Sequence, residues 1–450
     1  MNYFLNLCLS VAYNPTMDTN NYVDFFRQTS PYIHAHRGRT FVIALGGAAV
    51  NHANFHSTVH DIALLQSLGI RIVLVHGARP QIDSRIALSG LSSQFNGYRR
   101  ITDSDTMLCV KEAVGSTRMQ IESELSMGLP NSPMHGAEVR VIGGNFITAK
   151  PVGILNGEDF QYTGEIRRID AIAIEQQLKD NALVLISPIG FSPTGETFNL
   201  NYQEVATQVS IALNAQKLIF VSEARGILKD GTLIRNLSLP EVSALAAEST
   251  DLDEKQLLFS AYQACNNGVE RVHLVGCAED GALLSELLTR DGSGTLIMMD
   301  YSEVLRSATI EDVGGIINLI APLEDQQVLV KRSRELLETE ISQFMVVVHP
   351  EGLLLGCAAL YPTADKTAGE LACVATHPEF HGQGIAARLL QEIVKEGQKR
   401  GLRKLFVLTT QTAHWFLEKG FVEAEVADLP AQTQPLYNYQ RNSRIFSKTI

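Results

Sequence analysis

The chain has 450 residues, of which 45% are hydrophobic, and its formal net charge is -12. This length exceeds what a single hydrophobic core usually fills, so two or three domains are expected. The acidic balance and the absence of Lys/Arg runs exclude a nucleic-acid surface, which needs clustered cations to neutralise phosphates.

The six cysteines show neither C-x-x-C nor Cys/His spacing, so the sequence signals no disulfide framework and no metal site. A reducing cytoplasmic location fits this pattern. The opening MNYFLNLCLSVAYNP has no positively charged start, and its apolar run is too short to span a membrane. We expect residues 1–17 to be a frayed extension, or translation to start at Met17.

The first predicted domain covers residues 18–297. Residues 18–36 read as an amphipathic helix, and from Arg39 the runs TFVIALGG and IRIVLVHGA alternate with helical patterns. Strand, glycine turn and helix in repetition predict a parallel α/β sheet. Further buried-strand runs extend this sheet and lie at residues 139–142, 182–186, 217–221 and 271–275.

The pattern restarts after a linker at residues 298–304, which predicts a second domain over residues 305–450. Its most informative segment is GELACVATHPEFHGQGIAARLLQEIV, an apolar strand that runs through a glycine loop into a long helix. A helix N-terminus with bare N–H groups is an anion site. Gly382 and Gly384 remove side chains where a diphosphate would approach, and Ala386 keeps the first turn slim.

The run VATHPEFHGQGIA resembles motif A of the GNAT-type acetyltransferases, a likeness that covers roughly residues 300–450. The resemblance implies acetyl-CoA as co-substrate, with its diphosphate bound at Gly382, Gln383, Gly384 and Ala386. The family usually carries Arg or Gln at the position of His381, so side-chain help there is not expected.

In this family the strand before the loop splays from its neighbour at a bulge, and the pantetheine arm pairs with the exposed strand edge. Here that edge is Leu371 to Val374. The resemblance implies that a backbone N–H at Cys373 or Val374 stabilises the oxyanion of the reacting thioester.

Two side chains are candidates for proton transfer. The acceptor amine arrives as an ammonium ion, and Glu370, at the start of the strand, is the candidate base. A solvated strand-end charge is the alternative reading. Many family members carry a Tyr that protonates the leaving thiolate, but this chain has Phe416 at that position. The nearest substitute is Thr409 or Thr410. Local hydrogen bonding of these hydroxyls is equally compatible with the sequence.

The acceptor must be inferred from cations, because this fold accepts many amines. A dicarboxylate such as glutamate needs forked donors, preferably Arg. We predict that the cations of VLVKRSRELLE, among them Arg332, lie on the second helix of this domain, around residues 332–340. This segment and LYNYQRNSRIF are similar to bacterial N-acetylglutamate synthases. That likeness implies that Arg332, Arg441 and Ser443 hold the glutamate carboxylates and that Cys373 lines the same pocket.

Residues 39–297 resemble the amino-acid kinase fold, as in acetylglutamate kinase. The parts that a kinase needs are replaced: Ala44 stands where a lysine is expected, and the H-G-G-G loop reads His76, Gly77, Ala78, Arg79. Gln203 stands where the kinases carry an aspartate. We therefore expect a domain that has kept the fold and lost ATP chemistry.

Arginine-sensitive members of both families carry a His, a Glu and a Gly at a set spacing, which His273, Glu286 and Gly292 reproduce. The resemblance implies L-arginine as a feedback inhibitor, although His273 could also simply end a strand. The helix at residues 18–36 matches an extra N-terminal helix that joins such proteins into hexameric rings.

The leading prediction is an α/β protein in which an amino-acid-kinase-like domain precedes a GNAT domain that acetylates L-glutamate, with no metal. Acetylglutamate kinase is the first alternative and a non-catalytic arginine sensor the second. The altered kinase loop disfavours the former, and the intact acetyl-CoA loop with Glu370 disfavours the latter.

Overall fold

The structure is a computed structural model of the chain. It describes residues 19–127, 136, 138–289, 292–299, 303–349, 352–430, 434 and 443–450. Two compact units are present, Met1–Asp300 and Tyr301–Ile450. The predicted extension at residues 1–17 lies outside the described residues, as does the middle of the predicted linker. No helix among the described residues is long and apolar enough to cross a membrane.

The first unit alternates strands and helices. Its strands are β1 Thr40–Leu45, β2 Arg71–His76, β3 Gln94–Asn96, β4 Arg99–Ile101, β5 Val141–Ile142, β6 Ile147–Pro151, β7 Ile154–Leu155, β8 Glu158–Asp159, β9 Gly164–Ile169, β10 Leu183–Ile186, β11 Ile189–Phe191, β12 Thr197–Asn199, β13 Lys217–Ser222, β14 Leu228–Lys229, β15 Thr232–Leu233, β16 Asn236–Ser238, β17 Arg271–Gly276 and β18 Thr295–Met298. Its helices are α1 Thr19–His36, α2 Gly47–Asn51, α3 Phe55–Ser67, α4 Arg79–Leu88, α5 Ser104–Leu125, α6 Ala171–Lys179, α7 Tyr202–Ala212, α8 Leu239–Glu248, α9 Leu252–Asn266 and α10 Ala282–Leu288.

The large sheet of this unit has the strand order β16-β18-β17-β13-β1-β2-β10-β5. Strands β1, β2, β10, β13 and β17 pair in parallel, as predicted, whereas β18 runs antiparallel to β17. Their apolar runs are buried because helices cover both faces of the sheet, and the two faces belong to separate core clusters. A smaller sheet of order β12-β11-β6-β9 was not predicted from the sequence.

The second unit is built on one mostly antiparallel sheet of order β19-β20-β21-β22-β23-β25-β24. Its strands are β19 Val304–Ser307, β20 Phe344–Val348, β21 Leu354–Pro362, β22 Ala368–Thr376, β23 Lys404–Thr409, β24 Val422–Ala424 and β25 Arg444–Thr449. Its helices are α11 Val313–Asp325, α12 Arg334–Glu340, α13 Ile385–Lys399 and α14 Ala413–Glu418, with short 3-10 turns at Ile310–Asp312, Ile341–Gln343, Pro378–Phe380 and Val426–Asp428.

Helices cover both faces of this sheet. On one face α13 buries Ile385, Leu389, Leu390 and Ile393, the helical spacing that its sequence predicts. Helices α11 and α12 form a separate core cluster with the other face. The two faces of β22 therefore meet different helices, which matters for the site described next.

Candidate functional site

The turn between β22 and α13 has the backbone geometry of an anion site. Gly382 and Gly384 adopt φ values of 82° and 79°, in the left-handed region that glycine tolerates. A Cβ atom on either would meet nothing within 4 Å, so the space in front of the turn is open. Gly384 is the N-cap of α13. It has no side chain that could bond to the N–H groups of the first turn, so these groups are available for a phosphate. Gln383 is exposed and Ala386 is half-buried in that first turn.

Strands β22 and β23 separate where the sequence predicts the pantetheine arm. They pair in parallel only over Ala368–Glu370 and Lys404–Phe406. The described pairing ends at Glu370, so the edge of β22 from Leu371 onward is available for another hydrogen-bonding partner. The opening lies directly before the glycine turn.

A bulge in β22 accompanies this separation. The register with β21 shifts between Cys357 and Ala359, and Cys373 takes a φ of 50°, an uncommon value for a side chain other than glycine. The extra residue sends Cys373 into the core beneath α11, whereas Val374 packs beneath α13. Burial raises the pKa of the Cys373 thiol to about 11, so this group is protonated at neutral pH.

Glu370 and Arg332 lie at the mouth of the opening. Glu370 is half-buried, and burial raises the pKa of its carboxyl group while the charge of Arg332 opposes the shift. Arg332 also acts electrostatically on Cys373, so the structure brings these three predicted residues together. Arg332 lies in the loop before α12, not on the helix as predicted, and its backbone N–H donates to Glu324 Oε1 at 3.0 Å.

Tyr361, Glu340 and Glu324 belong to the same cluster but were missed from the sequence. Tyr361 lies opposite Glu370 in the register of β21 and β22. Its hydroxyl donates to Glu340 Oε2 at 2.7 Å, and the guanidinium carbon of Arg332 lies 5.7 Å from its ring centroid. No sequence motif links these residues, because Tyr361 meets Glu370 through strand pairing, whereas Glu324 and Glu340 lie on helices that pack on the sheet.

The remaining predicted groups have different outcomes. Thr409 is buried at the end of β23, where its hydroxyl lies 2.9 Å from the Thr412 hydroxyl and accepts from the Thr412 backbone N–H. Ser443 is buried just before β25, and the register Thr409–Arg444 places it beside the end of β23. Arg441, a predicted carboxylate ligand, lies outside the described residues.

A cavity of about 440 Å³ runs along α13. Its lining begins at Ala387 in the first turn of the helix and reaches Lys395, Lys419 and Lys448. The Lys448 ammonium donates to the Lys419 carbonyl at 2.7 Å. The cavity is therefore a groove that starts in the first turn of α13 and carries three lysines and Glu418 among mainly apolar surface.

The first unit holds a larger cavity, of about 680 Å³, at the position of the altered kinase loop. The glycines at this loop allow backbone segments to pack closely against each other. A Cβ on Gly47 would lie 2.8 Å from the Pro80 ring and 3.0 Å from the Arg79 backbone nitrogen, and one on Gly77 would lie 2.8 Å from the Gly47 nitrogen. These glycines thus allow two loops to touch each other.

The arginines of this cavity are already paired with carboxylates. Arg79 Nη1 lies 2.6 Å from Asp253 Oδ1, and Arg100 Nη2 lies 2.7 Å from Asp83 Oδ1. Arg99 bonds to Glu204 at 3.1 Å. Phosphate groups would have to compete with these carboxylates for every arginine in the lining.

The three residues predicted to bind arginine lie together in the first unit. His273 on β17 is fully buried, and its Nδ1 lies 2.7 Å from Glu286 Oε1 on α10. The backbone N–H groups of Ser293 and Gly294 donate to Glu286 Oε2, each at 2.7 Å. Gly292 adopts a φ of 61° beside the same carboxylate.

Lys217 completes this network and was missed from the sequence, where it reads as the first residue of an apolar strand. Its ammonium lies 2.9 Å from His273 Nε2. Burial, together with the charge of Lys217, lowers the pKa of His273 to about 4, so the ring is neutral. Burial alone would raise the pKa of Glu286, but the His273 and backbone hydrogen bonds outweigh it and lower that pKa. Lysine, neutral imidazole and carboxylate thus form one buried chain.

Helix α1 spans Thr19–His36 and approaches this network from the N-terminal side. The predicted helix is confirmed over these residues. His36 Nε2 lies 2.8 Å from the carbonyl oxygen of Leu287 on α10, and its ring meets Phe41 edge-on. The last turn of α1 is therefore attached to the helix that carries Glu286.

Comparison with known families agrees with both folds. Residues 39–276 match the amino acid kinase family, and residues 340–423 match the acetyltransferase (GNAT) domain. The amino-acid acetyltransferase of Azotobacter vinelandii is 52% identical over 431 residues, which are 96% of this chain and 100% of that protein.

Two crystal structures of N-acetylglutamate synthase from Neisseria gonorrhoeae also match. The complex with coenzyme A and L-arginine is 36% identical with a TM-score of 0.82, and the complex with coenzyme A and N-acetyl-glutamate is 37% identical with a TM-score of 0.60. Each match covers 95% of this chain and 99% of the other.

The folds and the glycine turn define an acetyl-CoA-dependent N-acetyltransferase preceded by an amino-acid-kinase-like unit. The predicted fold class, an amino-acid-kinase-like unit followed by a GNAT domain, is confirmed. The chain belongs to the amino-acid acetyltransferase family and is an enzyme.

Proposed function

We propose that this enzyme transfers the acetyl group of acetyl-CoA to the α-amine of L-glutamate, giving N-acetyl-L-glutamate and CoA. The observation that carries the proposal is the placement of Glu370, Arg332 and Cys373 at the opening between β22 and β23. A carboxylate base and a guanidinium group beside the same opening suit a substrate that carries both an amine and carboxylates. The Neisseria relative in complex with N-acetyl-glutamate supports the same acceptor.

In the proposed mechanism Glu370 accepts a proton from the substrate ammonium, directly or through water, so that the amine can attack the thioester carbonyl. Arg332, Arg441 and Ser443 hold the carboxylates, and Cys373 lines that pocket. The backbone N–H of Cys373 or Val374 stabilises the negative charge that develops on the thioester oxygen.

Transfer is direct in this mechanism, because a buried thiol whose pKa is about 11 is a poor nucleophile at neutral pH. Cys373 therefore acts through its backbone and its shape. Thr409 remains the candidate that protonates the departing thiolate, and it can donate its proton when Thr412 donates to it rather than the reverse.

Arginine is the proposed feedback inhibitor, and the reaction is the first step of arginine biosynthesis in the cytoplasm. The buried network of His273 and Glu286, with Gly292 beside it, is the proposed binding region. Inhibition requires that arginine bind one state of the enzyme better than another. We also propose a homo-oligomer, a hexameric ring joined through α1.

Release of the CoA thiol across a panel of amino acids and amines, with and without millimolar arginine, tests the proposal. We expect release with glutamate and suppression by arginine. Release only with a different amine would contradict the glutamate assignment, and undiminished release in saturating arginine would contradict the inhibition.

The kinase alternative predicts phosphate transfer from ATP to N-acetylglutamate. Packed glycines and carboxylate-paired arginines in the larger cavity disfavour it. The sensor alternative predicts no turnover with any amine, and the same panel excludes it if CoA is released.

The groove along α13 yields a further prediction about the donor. Its lining on the helix runs from Ala387 to Lys395, eight residues or about 12 Å along the helix axis, and its three lysines suit the 3′-phosphate of CoA. We expect Lys419→Met to raise the KM for acetyl-CoA by about threefold to tenfold, one phosphate contact being lost.

The KM for acetyl-dephospho-CoA, which lacks the 3′-phosphate, should not change in this variant. Lys399→Met removes an exposed lysine that does not line the groove and serves as the control. An equal rise for both donors would contradict a phosphate contact.

A further inference from the structure

Arg332, the proposed ligand for a substrate carboxylate, lies in a loop that holds its side chain through one long hydrogen bond, from Nη1 to the Val330 carbonyl oxygen at 3.4 Å. The loop separates α11 from α12, and α12 begins only at Arg334. Within it the Arg332 backbone is held by Glu324 Oε1 at 3.0 Å. A guanidinium on a long flexible stem still needs a surface to define its direction.

Tyr361 supplies that surface. The guanidinium carbon lies 5.7 Å from the ring centroid, within cation–π range. A cation–π contact does not itself consume an N–H group of the guanidinium. N–H groups other than the one that donates to Val330 can therefore donate to a carboxylate.

Three contacts position Tyr361. Its backbone is paired with Glu370 in the sheet, and the Phe344 ring meets it edge-on, with centroids 6.4 Å apart and planes at 88°. Its hydroxyl donates to Glu340 Oε2 at 2.7 Å, at the end of α12. The ring is thereby fixed with respect to both the sheet and the helix that follows Arg332.

The position of Tyr361 places Arg332 on the same face of the sheet as Glu370. Because Tyr361 and Glu370 are directly opposite on antiparallel strands, their side chains leave the sheet on the same face. The bulge returns Cys373 to that face as well. A carboxylate placed by Arg332 would therefore lie on the side of the sheet where Glu370 meets the amine.

We propose that Tyr361, held by Glu340, is a positioning residue that directs Arg332 toward a carboxylate of the amino-acid acceptor. The role rests on the proposed function, since it needs a carboxylate-bearing amine. Tyr361 and Glu340 would then contribute to the affinity for the acceptor without touching it.

Steady-state kinetics with full-length enzyme, without arginine, test this role. We expect Tyr361→Leu to raise the KM for glutamate by about tenfold, the equivalent of one desolvated cation–π contact, with kcat changed less than about threefold. The KM for acetyl-CoA should stay the same. Tyr361→Phe keeps the ring and loses the Glu340 bond, so its KM should lie between those of the wild type and Tyr361→Leu.

A double-mutant cycle shows whether Tyr361 acts through Arg332. If it does, Tyr361→Leu should add little to the KM for glutamate in an Arg332→Ala background. Tyr98→Phe is the matched control, because it removes another tyrosine–glutamate bond, Tyr98 to Glu204, in the first unit. It should leave the KM for glutamate unchanged.

An unchanged KM for glutamate in Tyr361→Leu, or additive effects in the cycle, would overturn the positioning role. If Tyr361→Leu does not fold, Tyr361→Phe carries the test, and a wild-type KM in that variant rejects the part assigned to Glu340. Failure of the wild-type enzyme to acetylate glutamate would instead overturn the proposed function, so the two failures are distinguishable.

Discussion

Glu370→Gln should lower kcat by about 10²-fold to 10⁴-fold, the usual contribution of a positioned general base. The amide has nearly the same shape but cannot accept the ammonium proton. Acetyl-CoA affinity should be unchanged, because the glycine turn and the strand edge remain. Stopped-flow or continuous thiol assays give kcat, and calorimetric titration gives the donor affinity.

The pH profile makes this expectation sharper. Burial raises the pKa of Glu370, so kcat/KM should fall as the pH drops through a value above the ordinary glutamate pKa of about 4.3. Since the charge of Arg332 lowers that pKa, Arg332→Gln should move the acid limb to higher pH. The limb should be absent in Glu370→Gln.

Glu396→Gln is a control for the loss of a carboxylate, because Glu396 pairs with Arg400 on the outer side of α13. It should behave as the wild type. Normal turnover by Glu370→Gln would reject the assigned base, and an acid limb that persists in this variant would show that another group titrates.

Gly292→Ala should abolish or greatly weaken arginine inhibition while leaving the uninhibited rate near that of the wild type. Gly292 has a φ of 61°, and a Cβ atom there would lie 2.5 Å from Glu286 Oε2. The new methyl group must displace the carboxylate that His273, Ser293 and Gly294 hold. We expect the half-inhibitory arginine concentration to rise by about tenfold or more, the cost of losing one charge-assisted contact.

Gly281→Ala is the control that distinguishes the clash with Glu286 in Gly292→Ala from the backbone strain of a left-handed alanine. Gly281 precedes α10 with a φ of 72°, but a Cβ atom there would meet nothing within 4 Å. Both variants carry similar strain, so only Gly292→Ala should lose sensitivity. Equal loss in both would assign the effect to the backbone, and retained inhibition in Gly292→Ala would remove Glu286 from the arginine site.

The strand, glycine turn and helix around Gly384 were predicted from the sequence in the observed order. Local signals were sufficient there, because Pro378 and two glycines interrupt the chain after the strand and an apolar 3.6-residue period defines the helix that follows. The parallel strands of the first unit were predicted for the same reason. Short strands such as β6 and β11, only partly buried, gave no comparable periodicity.

The placement of Arg332 on a helix was wrong because a local signal was overlooked. Ser333 is the N-cap of α12 and its side chain accepts from the Leu336 N–H, so the helix cannot begin before it. Tyr361 and Lys217 are different cases. Lys217 meets His273, and Tyr361 meets Glu370, through strand pairing, and a single sequence does not give the register of two strands.

The extra residue at Cys373 has a consequence for how two substrates can share one strand. In a strand without a bulge, successive side chains point to opposite faces of the sheet, so they would pack alternately against the helices on the two faces. In the proposed mechanism the edge of β22 beyond Glu370 would bind the thioester, and the face of the strand that holds Glu370 would bind the amine. Donor and acceptor would then use different surfaces of one strand, so each surface could change in evolution without rebuilding the other.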